Sequence, residues 1–135
     1  MDSVVWTDTL AIGVQVIDDQ HRQLFDIRNR LASCLEPGAD ENGEHFHRIL
    51  SELFEYTRSH FTAEEEIMQS AGFPDLTAHR QKHASFIDSL VELSRAAPEE
   101  RNVRQQGVTF LTKWLLAHIC QSDMEIRYFL EGRHG

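Results

Sequence analysis

His60 and Glu64 stand four residues apart, as do His79 and His83. On helices each pair would project from one face, one turn apart, and could grip a single metal ion. His79 and His83 lead into Phe86, Ile87 and Leu90 at steps of three and four, and His60 follows Phe46, Leu50, Leu53, Phe54 and Thr57 in the same register. His21 lies directly before Leu24 and Phe25, and His118 comes a turn after Trp114 and Leu115. All five imidazoles therefore fall on apolar faces. Burying them without partners would cost roughly 1–3 kcal/mol per unmet polar group, and metal coordination resolves that cost better than hydrogen bonds alone. One such histidine would read as a hydrogen-bonded core residue; five on the inner faces of four helices read as a metal site.

The elements that must position them follow from periodicity and punctuation. Residues 1–17 carry Trp6, Leu10, Ile12, Val14 and Ile17 without a sustained helical period and read as an irregular arm packed on the body. A first helix is expected over about 19–36, capped by Asp18 or Asp19 and stopped at Glu36-Pro37-Gly38. A long second helix, about 42–71, ends at Gly72-Phe73-Pro74. A third, about 76–96, is capped by Asp75 or Thr77. A fourth, about 99–131, opens on Pro98, Glu99 and Glu100 and runs its apolar face through Val108, Leu111, Ile119, Ile126 and Phe129. Four amphipathic helices with short connections give an all-α, antiparallel up-down-up-down four-helix bundle, whose core can hold a metal between facing helices. The 135 residues suit a single domain.

Composition narrows the function. Hydrophobic residues at 41% and charged ones at 26% are ordinary globular usage. A net charge of −9 and the lack of a basic stripe argue against nucleic acid. No run approaches a membrane span and the start MDSVVWTD lacks signal-peptide features, so a cytoplasmic location is expected. Cys34 and Cys120 form no metal or disulfide pattern and are expected to be small packing groups. Eight histidines against two tyrosines stand out, which returns the question to the cluster.

The candidate ligands are too many for one tetrahedral zinc, and the zinc-protease step H-E-x-x-H is missing. Mixed imidazole and carboxylate donors suit iron, manganese or zinc rather than calcium or magnesium. The ferritin-like diiron pattern needs Glu-x-x-His on two helices, yet the step occurs once, at Glu44 and His47 on an expected wet helix start.

Ile17-Asp18-Asp19-Gln20-His21-Arg22-Gln23-Leu24-Phe25, His60-x-x-x-Glu64, His79-x-x-x-His83 and His118-x-x-x-x-Asp123 resemble, in order, the four ligand motifs of the hemerythrin family, most nearly its bacterial single-domain members. The resemblance runs from Trp6 to about Leu130. It implies two non-haem irons with an oxo or hydroxo bridge: His79, His83 and His118 on one, His21 and His60 on the other, Glu64 and Asp123 spanning both. That set leaves one coordination position open, where the family binds dioxygen reversibly as a hydroperoxide. The resemblance also makes Phe61, Trp114, Leu115 and Ile119 the apolar wall of the ligand pocket. No general acid or nucleophile is evident beside the open position, so the expected role is oxygen storage, transport or supply to an oxygen-using enzyme, rather than catalysis. An oxygen, redox or nitric oxide sensor and a nitric oxide or peroxide reductase are the competing functions; azide and similar anions would be further ligands. A monomer or weak oligomer is expected.

One spacing conflicts with a regular helix. Five residues separate His118 from Asp123, which turns them about 140° apart at ~3.6 residues per turn. A π-bulge near Ile119 to Asp123 is therefore expected. His45 and His47 read as surface residues, His134 as tail, and Glu65 and Glu66 as a solvated charge run.

Overall fold

The computed structural model describes residues 3–95 and 100–132, and among them every regular element is helical. The helices are α1 (Gln15–Ser33), α2 (Glu44–Ala71), α3 (Leu76–Arg95), α4 (Arg101–Ala117) and α5 (Met124–Gly132), with a π-helical segment, His118–Asp123, joining α4 to α5. Because α4, the π segment and α5 follow one another without a break, the chain forms four rods, and the architecture is the expected four-helix bundle.

Helix α1 starts and stops earlier than its sequence signals suggest. Its N-cap is Val14, which offers no side-chain acceptor. Asp18 is not the cap; its buried carboxylate turns back to accept the amides of Ile12 (2.8 Å) and Gly13 (3.3 Å). Gly13, at φ 87°, makes the left-handed turn that lets both amides face one carboxylate. The helix ends at Ser33, with the amides of Cys34, Leu35 and Glu36 folding into tighter turns before Pro37.

Helix α2 borrows its cap from the preceding loop. The Asp40 carboxylate accepts the amides of His45 (3.1 Å) and Phe46 (2.8 Å), satisfying two donors of the first turn. At the other end Gly72 (φ 76°) and Phe73 return hydrogen bonds to Gln69 and Met68, a left-handed helix stop. The expected start of the fourth helix at Pro98 and Glu99, and the last residue of the third, lie outside the described residues, as does His134. Glu100 is the N-cap of α4.

The arm is less irregular than its sequence suggests. It contains a 3-10 turn, Asp8–Leu10, and gives its last three residues to α1. Asn29 clamps it by accepting the Val4 amide and donating to the Val4 carbonyl, both at 2.9 Å. Trp6 then packs edge-on against Phe25 at 5.6 Å.

Apolar burial falls into two clusters. The larger gathers Leu24, Leu31, Leu50, Leu53, Phe86, Leu90, Val108 and Leu111; the smaller gathers Ile12, Ile17, Met68, Phe73 and Ile126. Along α1, α2 and the fourth rod, the polar residues His21, Glu64 and Asp123 sit between members of the two clusters, so a buried polar layer crosses the bundle. Helices α3 and α4 approach closely where Gly107 meets Leu93, for a Cβ there would lie 2.6 Å from a Leu93 methyl.

Candidate metal centre

Each rod sends polar side chains into this layer: His21 from α1, His60 and Glu64 from α2, His79 and His83 from α3, and His118 and Asp123 from the π segment. All seven are at most 5% exposed. The π segment is what lets the last two converge. With i to i+5 bonding a residue five along returns to nearly the same side, and His118 Nε2 comes within 3.1 Å of Asp123 Oδ1.

The five imidazoles present Nε2 inward, and the two carboxylates divide their oxygens between them. Glu64 Oε1 faces His79 (2.7 Å), His83 (3.2 Å) and His118 (3.8 Å), whereas its Oε2 faces His21 and His60, both at 3.4 Å. Asp123 repeats the division, with Oδ1 3.1 Å from His79 and His118, and Oδ2 3.1 Å from His21. Two donor sets result, one of Glu64, His79, His83, His118 and Asp123, the other of His21, His60, Glu64 and Asp123, with donor atoms in each set within 4.8 Å of one another.

Hydrogen bonding does not account for these groups. His21 Nε2, Glu64 Oε2 and both Asp123 oxygens are buried and close to opposite charge, yet lack a partner with hydrogen-bond geometry among the described residues. Buried polar atoms are seldom left so, and four at one place fit a site built for cations.

The electrostatics agree. Burial acts to keep His21 neutral, but the Asp123 and Glu64 carboxylates outweigh it and lift the ring to about 9; the same balance lifts His79 to about 9 and raises His118. Burial wins at His60, which falls to about 4. Burial and Glu64 oppose ionisation of Asp123, yet His118 and His21 hold it down to about 2, and Glu64 is held well below the usual carboxylate range by its histidines against its own burial. Two buried anions thus attract positive charge from either protons or metal.

The expected wall residues pack on the imidazoles. Phe61 lies flat on His83, with centroids 3.8 Å apart and planes 3° apart, and meets His60 at 5.7 Å. Trp114 stacks on His118 at 4.5 Å and on Phe86 at 4.1 Å. Leu115 and Ile119 are buried in the apolar cluster that also holds Phe61.

Three residues stand differently from the sequence reading. Glu65 is not part of a solvated run: its carboxylate accepts from His83 Nδ1 at 2.7 Å and from Arg80 at 3.0 Å, because the α2·α3 contact brings α3 over this side of α2. Glu66 is exposed, as are His45 and His47. Cys120 is exposed rather than packed, since the widened π turn carries it outward. Gln20, which carries no spacing signal of its own, accepts from His60 Nδ1 at 2.7 Å.

The sequence profile of the hemerythrin HHE cation binding domain matches residues 12–128. The chain belongs to the hemerythrin family. Its relatives include a bacteriohemerythrin of Stenotrophomonas maltophilia, 35% identical over 91% of this chain and 78% of that protein. A bacteriohemerythrin of Clostridium acetobutylicum is 30% identical over 90% of this chain and 96% of its own length. Among solved structures, wild-type hemerythrin superposes with a TM-score of 0.82 at 30% identity, covering 94% of this chain and 97% of the other. The hemerythrin domain therefore contains all seven site residues, and no described helix is long and apolar enough to cross a membrane.

Proposed function

We propose that this hemerythrin-family chain holds two non-haem irons and binds dioxygen reversibly, as an oxygen store, carrier or supplier. The observation that supports this most is the division of the Glu64 and Asp123 oxygens between two histidine sets, since a carboxylate that faces both ways is suited to span two cations. His79, His83 and His118 would hold one iron and His21 and His60 the other. The iron pair, when bound, supplies the electrons for reversible oxygen binding.

The chain supplies the surroundings. Glu64 and Asp123 would offset the charge of two cations, and the five imidazoles would donate to them through the inward-facing Nε2 atoms. Phe61, Trp114, Leu115 and Ile119 would exclude water and anions, which slows oxidation of the site. Nearby buried side chains are committed elsewhere: Asp18 to the arm amides, and Thr57 to the carbonyls of Leu53 and Phe54. They are not poised to deliver a proton to the layer.

Metal analysis and the visible spectrum of the iron-loaded protein test this reading. Two irons per chain and a band that vanishes on deoxygenation and returns in air are expected. A colourless protein with two zincs, or steady consumption of nitric oxide or peroxide, would replace oxygen binding with another function.

A further inference from the structure

We infer that Glu65 is a positioning residue that sets the redox potential and metal retention of the three-histidine half of the cluster, acting through His83. This rests on the two-metal reading above. The His83 ring connects the layer to this carboxylate: Nε2 lies 3.2 Å from Glu64 and 2.9 Å from His118 Nε2, while Nδ1 meets Glu65 Oε2 at 2.7 Å. An acceptor on Nδ1 fixes the tautomer so that the Nε2 lone pair points inward, and an anionic acceptor makes that lone pair a stronger donor. Phe61, flat against the ring, holds it in that plane.

The other donor set has a neutral counterpart. His60 Nδ1 meets the Gln20 amide oxygen at the same 2.7 Å. The two halves therefore differ in outer charge as well as in histidine number, with an anion behind one and an amide behind the other. Arg80 moderates the anion. It binds the opposite oxygen of Glu65 in a groove of about 660 Å³ between α2 and α3, drawing charge away from His83. An electron-rich His83 favours the higher oxidation state of the metal it binds, so Glu65 lowers the potential and Arg80 raises it.

Potentiometric titration of the iron-loaded protein tests the inference. Glu65→Gln keeps the shape and is expected to raise the midpoint by at least ~59 mV, the one-electron equivalent of a tenfold change in relative affinity. Competition of metal-free protein for zinc should weaken by ~10- to 100-fold. Glu65→Asp should recover part of both. Arg80→Gln should lower the midpoint, and this shift should disappear in the Glu65→Gln background; a purely structural ion pair would not produce opposite signs. Wild-type potential and zinc affinity in Glu65→Gln, or an Arg80→Gln shift that persists without Glu65, would overturn it. Failure of the wild type to take up two irons would refute the two-iron reading instead, and the zinc competition would still measure Glu65.

Discussion

His83 Nε2 lies 2.9 Å from His118 Nε2, two ring nitrogens 35 residues apart in sequence that meet across the interface of α3 and the π segment. Two lone pairs at that distance repel unless something positive lies between or beside them. The raised affinity of His118 for protons, driven against burial by Asp123 and Glu64, expresses the same demand.

Removing one member of the layer should therefore expose that demand as lost metal. Glu64→Ala and Asp123→Ala are expected to reduce bound metal to one ion or none, because each faces both sets. His47→Ala, on the exposed start of α2, should leave it unchanged. Elemental analysis of the purified variants decides, and full occupancy in Glu64→Ala would contradict the shared-carboxylate geometry.

In the metal-free protein the same charges make stability depend on pH. His21 and His79 titrate near 9 when folded against an ordinary 6.5, so their stabilisation is complete below 6.5 and is lost as pH rises through 9. His60, shifted down to about 4, has the opposite effect, destabilising the fold as pH falls from 6.5 toward 4. The melting temperature of chelated protein should thus peak near 6.5 and fall on both sides. Metal replaces the protons, so loaded protein should lack the alkaline fall, and its metal should leave as acid returns protons to the rings.

Phe61→Ala removes the ring stacked on His83 and part of the main core. A loss of about 3–5 kcal/mol is expected from burial and cavity formation together. Oxidation of the iron-loaded protein should also accelerate, followed as decay of the oxygen-dependent band. An unchanged oxidation rate with reduced stability would limit Phe61 to packing.

Gly72→Ala places a Cβ on a residue at φ 76°, with open space around it, so the cost is conformational. About 1–2 kcal/mol of stability should be lost in chemical denaturation. Metal content should stay at the wild-type level, since the turn into α3 is strained but His79 and His83 remain on their face.

The inner face of each helix was legible because spacing alone determines which side chains share it; Phe46, Leu50, Leu53, His60 and Glu64 on α2 needed no partner to be placed. The π widening was legible for the same reason, as a conflict between the five-residue step and a regular helix. Glu65 and Gln20 were not, because their roles depend on which helix lies alongside, and neighbouring residues on one helix give no sign of it. Asp18 resembles a cap in sequence yet is none, since an Asp before an apolar run suits a cap and an acceptor for a folded-back arm equally well. Exposure of Cys120 follows from the rotation within the π turn, which periodicity alone does not give.

That extra residue in the fourth rod also fixes what lies beyond it. Were residues 118–123 to wind as a regular α-helix with none removed, everything downstream would rotate by about 100°. Asp123 would leave the polar layer, and Ile126, now 2% exposed in the smaller cluster with Ile17 and Met68, would swing off its apolar seat. The cation-binding layer and the closure of the bundle's end thus share a single register. A change that straightened the segment without shortening it would lose both together, so the cost of keeping an irregular helix is offset by the packing of Ile126 as well as by the site.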